Sequence, residues 1–262
     1  MYRRPLLAAA LLFAGMAGGG ATAQAAAAQP FARPTLPVLT SLPLFWGEEA
    51  LGAVFENIAV RSPLLAALDA AYLVEAIDTF EPSHFRDRER LLAIQPAYLP
   101  PDELVALDEW IRRGGRALIF SDPDLVWPTR FTAGDRRQPS VSSFLDPLFA
   151  HWGLRLDGQR KSPRLVKGRV ANIPVTFVNP GNWKSKDDHC TLSDDRHVAT
   201  CEIGKGLAIL VADADLLDPR LWGQDAPDNR QALHALLARL ENSAATESRQ
   251  NGLTSGTDRN IN

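Results

Sequence analysis

The chain has 262 residues, 45% of them hydrophobic, with 28 Lys and Arg against 31 Asp and Glu and a formal net charge of -3. That is apolar material for one large α/β domain or two small ones, and no repeat of the solenoid kind runs through it. The acidic balance excludes a nucleic-acid-binding surface: the arginine-rich stretches at Arg86 to Arg90 and at Arg136-Arg137 are short and lie among Asp and Glu, so they read as solvated surface.

Residues 1–28 read as a secretory signal segment, with basic Arg3-Arg4, an apolar run from Leu6 to Ala17, and Ala21-Thr22-Ala23 or Ala23-Gln24-Ala25 as a small-residue cleavage site. The apolar run is short and Gly-rich for a membrane span; an uncleaved anchor reaching Ala28 is the competing reading. No cysteine near the processing site offers a point for lipid attachment. Export implies the oxidising periplasm, where Cys190 and Cys201 would form one local disulfide. Grouping them with His189 and His197 as metal ligands is the alternative, and it lacks CxxC or HxxxH spacing.

The mature chain starts with a Pro-rich lead-in, residues 29–41, and a first strand is expected over Leu42 to Trp46, ending in Gly47-Glu48-Glu49. A helix follows from Pro63 to Tyr72, with Ser62 placed to cap it. A second strand, Leu73 to Ile77, stops at Asp78, and a third apolar run, Leu91 to Ile94, ends at Gln95-Pro96. Pro100-Pro101-Asp102-Glu103 then starts a helix that closes with Arg112-Arg113 before Gly114-Gly115, with Leu104, Leu107, Trp110 and Ile111 on its apolar side. Arg116 to Phe120 is the next strand, ending in Ser121-Asp122-Pro123-Asp124. Two apolar strands joined by one helix are most simply parallel neighbours, and ligands of such sheets bind beyond the carboxyl ends of the strands.

After Pro128 comes a polar loop, Thr129 to Ser140, and then a helix expected over Val141 to Trp152, stopped by Gly153. Alternation over Leu165 to Val178 suggests a β-hairpin insertion beside or extending the sheet. A long polar loop, Asn179 to Arg196, carries Trp183 and is held by the cysteine pair. Val198 to Ile203 is a strand, Gly204-Lys205-Gly206 a turn, and Leu207 to Ala212 the last strand, ending in Asp213-Ala214-Asp215. Pro227 to Leu240 closes the domain as a helix, so residues 42–241 form a single α/β domain, and residues 242–262 read as a disordered polar tail.

In this order, LPPDELVALDEWIRRGGRALIFSDP after an apolar strand, then GKGLAILVADADLLD and a DN-containing helix, the chain resembles the auxiliary components of uncharacterised ABC transport systems. These include the gliding-motility type, whose extracytoplasmic domain is similar to class I glutamine amidotransferases. The resemblance runs over Leu42 to Leu240 and is sharpest over Leu104 to Pro123 and Gly206 to Leu217. It implies a flavodoxin-like, amidotransferase-like α/β fold: a mainly parallel sheet with helices on both faces. It also implies a binding or coupling role. Where such an amidotransferase carries its nucleophilic Cys this chain has Ser121-Asp122-Pro123, and no His lies beside Asp213-Ala214-Asp215. A serine without an adjacent base stays protonated, so no catalytic residue and no cofactor are expected.

On this reading Trp46, Glu48, Asp78, Gln95, Ser121, Asp122, Asp124, Asp213 and Asp215 lie at or just past strand carboxyl ends, with Trp127 close by in sequence. The carboxylates have three readings: caps of the turns that follow, a polar pocket with Trp46 or Trp127 stacking on a ring-bearing ligand, or a divalent-metal hydrolase site built on Asp122 with Asp213 or Asp215. His84, His151 and His234 read as packing residues, Trp110 and Trp152 as core, and Trp127, Trp183 and Trp222 as loop aromatics able to line a groove. The expected protein is an exported, non-catalytic accessory or binding component of an envelope transport system. Its expected partners are ABC-transporter membrane components or an envelope polymer, with no nucleic acid, and with the membrane reached only through a partner or an uncleaved signal segment. A periplasmic metal-assisted hydrolase and an interaction module built on the loop tryptophans are the alternatives.

Overall fold

The computed structural model describes residues 33–45, 62–132, 134–135, 137–158, 164–186, 188–222 and 229–254; the expected signal segment, Trp46 and Glu48 lie outside them. Strands β1 (Thr35–Thr40), β2 (Leu73–Ile77) and β3 (Arg90–Ile94) open the fold. The first strand therefore sits inside the stretch read as a lead-in, and Leu42 and Leu44, expected to form it, are buried in the turn that follows. Pro37 disguises it. A proline cannot donate to a ladder, and here it pairs in register with Glu75 of β2 while the ladder to β3 begins only at Val38.

Helix α1 (Pro63–Asp69) lies between β1 and β2 and is shorter than its apolar pattern, because Ala71 and Tyr72 both donate to the carbonyl of Leu68 and turn the chain. Ser62 precedes it without a side-chain capping bond, contrary to expectation. Helix α2 (Pro101–Arg112) and strand β4 (Arg116–Phe120) complete the expected crossover, with β3 and β4 parallel and paired from Arg90–Arg116 to Ile94–Phe120.

Beyond β4 come α3 (Asp146–His151), β5 (Leu154–Asp157), β6 (Leu165–Val170), β7 (Ile173–Val178), β8 (Asn182–Ser185), β9 (Cys190–Leu192), β10 (Val198–Ile203), β11 (Gly206–Val211) and α4 (Asn229–Thr254). The helix expected from Val141 is reduced to α3. Ser143 accepts from Leu145 N–H through its hydroxyl and gives its own N–H to the carbonyl of Asp122, a local alternative that competes with helix until Pro147 fixes the first turn. The long loop at 179–196 contains β8 and β9. The expected tail is helical through Thr254, and residues 255–262 lie outside the described residues.

The main sheet has the order β2-β1-β3-β4-β11-β10-β9; β2 to β11 are mutually parallel and β10 runs against β11. β5–β8 and the β6–β7 hairpin are two separate ribbons. Alternation along the strands divides the core in two. Leu92, Ile94, Leu118, Phe120, Ile209 and Val211 face α1 and α4, whereas Leu91, Ala93, Ala117, Ile119, Ala208 and Leu210 face α2 and α3. Helices thus cover both faces, as expected for a buried parallel sheet. Cys190 and Cys201 stand opposite each other in the β9–β10 ladder and form the expected disulfide.

At the amino ends of the strands two glycine turns interlock. Gly114 holds φ at 116°, and a Cβ on Gly206 would fall 2.0 Å from the carbonyl oxygen of Ile111 and 2.3 Å from that of Gly115. At this contact only glycine lets the two backbones meet.

Candidate functional site at the strand carboxyl ends

Adjacent placement of β4 and β11 brings together residues far apart in sequence. Asp122, just past β4, and Asp213 and Asp215, just past β11, place carboxylate oxygens within 4.8 Å of one another, and all three are buried. This is the group of carboxylates among the described residues with the spacing to share a cation or protons.

Each of them also holds backbone. Asp122 accepts from Asp124 N–H (2.8 Å) and Ala214 N–H (3.0 Å), Asp213 from Val178 N–H (2.6 Å) and Leu216 N–H (2.9 Å), and Asp215 from Val126 N–H (2.7 Å). The triad therefore ties the loop after β4, the loop after β11 and the end of the hairpin strand β7 into one unit. Capping and convergence, alternatives at the level of sequence, coexist in the same three residues.

Their electrostatics follow from burial. Removal from water, then the charge of Asp215, pushes Asp122 up to about 7, against the pull of its backbone donors. Asp213 is raised by burial and next by Asp122, and Asp215 is lifted to about 6, again mainly by burial. Neighbouring carboxylates that cannot all ionise retain protons, and a proton shared among them does part of what a cation would do.

Gln95 is the second organiser. It adopts φ 42°, is fully buried, and uses its carboxamide as a clamp: Nε2 donates to the carbonyls of Asp122 (3.1 Å) and Ser140 (2.9 Å), while Oε1 accepts from Asp122 N–H (2.8 Å). Its own carbonyl receives Ser41 N–H and Oγ. Ser121 is fully buried, and its Oγ meets the hydroxyl of Ser143 at 3.3 Å rather than a base. Asp124 receives the Asn179 amide at 3.2 Å, and Trp127 packs partly buried on the core face of α1 and α4. Asp78 is exposed beyond β2, with β1 and β3 between it and β4, the strand that leads into Asp122.

Trp183 is no loop aromatic: it lies on β8, fully buried, edge-on to Phe149 with centroids 5.0 Å apart. An interaction face shared by Trp127 and Trp183 is thereby lost. Cys190 and Cys201 are joined, so they cannot serve as thiolate ligands beside His189 and His197. The ring of His197 instead pairs through Nδ1 with the carbonyl of Gly181 at 2.7 Å.

Sequence reading missed two buried amides that frame the site. Asn179, at φ 48°, offers its Oδ1 to Arg164 N–H (2.7 Å) and its amide to Asp124, and the Asn-Pro-Gly turn signal at residues 179–181 marks it. Asn229, fully buried in the first turn of α4, donates to the carbonyls of Thr176 (2.8 Å) and Leu216 (3.0 Å) and accepts from Thr176 N–H. Only the packing of α4 against the hairpin reveals that role.

Residues 37–183, more than half of the chain, match the family model described as ABC-type uncharacterized transport system. No curated protein matches the sequence. Among solved structures the chain is similar to the "mmIFT52 N-terminal domain", at 11% identity and TM-score 0.49, covering 79% of this chain and 97% of that one. It is also similar to a beta-galactosidase from Bacillus circulans sp. alkalophilus, at 12% identity and TM-score 0.45, over 82% of this chain and 31% of that one. An exo-beta-1,4-mannosidase from an Opitutaceae bacterium is similar at 15% identity and TM-score 0.41, over 82% and 36%. The chain thus spans about a third of either glycosidase.

Proposed function

Because the chain belongs to the ABC-type uncharacterized transport system family, we propose that it is an exported, non-catalytic accessory domain of such a system, working in the periplasm against the transporter's membrane components. One observation carries the non-catalytic part: the polar groups at the strand carboxyl ends are engaged in holding backbone. Ser121 faces another hydroxyl, and Gln95, Asp122, Asp213 and Asp215 bind N–H or carbonyl groups of neighbouring loops. A nucleophile needs a base within hydrogen-bond reach, and the Ser121 hydroxyl is met at 3.3 Å by that of Ser143 instead.

The parallel strands run in the order β2-β1-β3-β4-β11. Numbered along the chain among themselves this is 2-1-3-4-5, the flavodoxin-like order, and it supports an amidotransferase-like relationship with the chemistry removed. Among the described residues no helix is long and apolar enough to cross a membrane. Attachment through membrane partners accords with that, as does the apolar segment read over residues 1–28.

The test is affinity purification of the tagged full chain from detergent-solubilised envelopes of its native host. Recovery with the membrane and ATPase subunits of one ABC system supports the proposal; recovery from the cytosol, or from envelopes without them, sinks it. The approach of Asp122, Asp213 and Asp215 favours one second reading, a metal-assisted hydrolase. Calorimetric titration of the chain with Ca²⁺, Mg²⁺, Mn²⁺ and Zn²⁺ separates the two. Ion binding that is lost in an Asp122→Asn, Asp213→Asn variant would put the hydrolase first.

A further inference from the structure

At the opposite end of the sheet lies a cleft that the transport reading does not use. It has a volume of about 680 Å³ and is lined by Arg86, Arg88, Arg113 and Arg116, with Glu89 the one carboxylate among its lining residues. In sequence these arginines belong to two separate, unremarkable stretches. The fold joins them: Arg116 N–H donates to the carbonyl of Glu89 (2.9 Å), and the indole N–H of Trp110 donates to that of Arg88 (3.1 Å). The loop with Arg86 and Arg88 is thereby fixed against the turn from Arg113 at the end of α2 to Arg116 at the start of β4.

Its walls are rigid as well as basic. Phe80, Phe85 and Trp110 form one aromatic cluster, with centroid distances of 4.1, 5.3 and 5.8 Å, behind the loop that carries Arg86 and Arg88. Gly115 lies against the Trp110 ring so closely that a Cβ would fall 2.4 Å from it. Arg88 is braced by a two-pronged contact with Glu75, whereas Arg113 meets Glu109 at 3.2 Å on the open surface, a pairing that water competes for. Arg86 is exposed.

We infer that this cleft binds a phosphate-class oxyanion, carried either on a small phosphate compound or on a phospholipid headgroup. Guanidinium groups present paired N–H donors that match the oxygens of such an anion, and the fold brings four of them to one opening. Arg86 and Arg113 are the contacts best placed to exchange solvent or a surface partner for the ligand.

The experiment uses the full chain at low ionic strength with two probes: inorganic pyrophosphate by calorimetry, and phosphatidylglycerol vesicles, with phosphatidylcholine vesicles as reference, by flotation. An Arg86→Ala, Arg113→Ala variant is compared with an Arg137→Ala, Arg155→Ala variant, which removes the same charge from exposed positions elsewhere. The expected result is binding of at least one probe, weakened about ten-fold or more in the first variant and unchanged in the second. Pyrophosphate alone assigns the site to a free compound, and phosphatidylglycerol alone to a headgroup. No binding of either probe overturns the inference, as does equal weakening in both variants or full retention in the first. All three proteins should melt at the same temperature.

Discussion

The two ends of the parallel sheet treat charge in opposite ways. At the carboxyl ends, three aspartates are buried within 4.8 Å of one another and hold loops through backbone N–H groups. At the amino ends, four arginines surround an open cleft, and the backbone there is ordered by interlocking glycines. One end uses charged side chains as structure. The other builds its structure from backbone and places its charges around an opening, with Arg86 exposed and Arg113 paired to Glu109 only at the surface. Residue type alone does not separate a ligand-binding group from a scaffold group; burial and the identity of the hydrogen-bond partners do.

The contrast breaks first at Gly206. Gly206→Ala would drive a methyl group into two backbone carbonyls that cannot step aside, and the expected loss is about 3 kcal/mol or more, read from the urea midpoint. A neutral outcome would mean that the amino end is looser than its glycine contacts imply. Asp213→Ala tests the other end. It strands the buried N–H groups of Val178 and Leu216, while relieving the burial of an acid, so a net loss of about 2 kcal/mol is expected, with Asp213→Asn losing less.

The parts legible in the sequence were those with local causes. The crossover of β3, α2 and β4 announced itself through apolar runs bounded by proline and glycine, and the cysteine pair through closeness in sequence on either side of a polar loop. β1 was hidden because Pro37 reads as a breaker unless the ladder on each side of it is known. The α3 pattern of Phe144, Leu145, Leu148 and Phe149 is equally periodic whether the helix starts at Val141 or at Asp146, and only the Ser143 bonds decide. Trp183 looked like a loop residue since β5 and β8 are invisible until they pair. The strand-end carboxylates could be named individually, but their convergence depends on β11 lying beside β4 after a long excursion. The arginine cleft was not legible for the same reason: Arg113 at the end of α2 and Arg116 at the start of β4 lie far in sequence from Arg86 and Arg88.

A smaller effect follows from protonation. The fold raises Asp122 to about 7 and Asp215 to about 6, so the folded chain keeps protons that the unfolded chain releases once pH passes the ordinary carboxylate value of about 4. Between those values the native state binds more protons than the unfolded one, and stability falls as pH rises, with Asp213, also raised by burial, adding to the fall. Melting temperature should therefore be higher at pH 5 than at pH 8 by a few degrees, and Asp122→Asn should flatten the slope. A flat profile in the unaltered protein would show that the triad titrates as ordinary surface acids do, and the scaffold role argued for it would fall.

The smallest expected effect lies at the arginine end. Arg113 reaches Glu109 across one helical turn with both side chains largely exposed, and such pairs contribute about 0.3–0.5 kcal/mol. Arg113→Ala should leave the urea midpoint nearly unmoved while weakening anion binding. If the substitution instead costs as much stability as Asp213→Ala, the arginines are scaffold too, and the two ends of the sheet differ in sign of charge but not in its use.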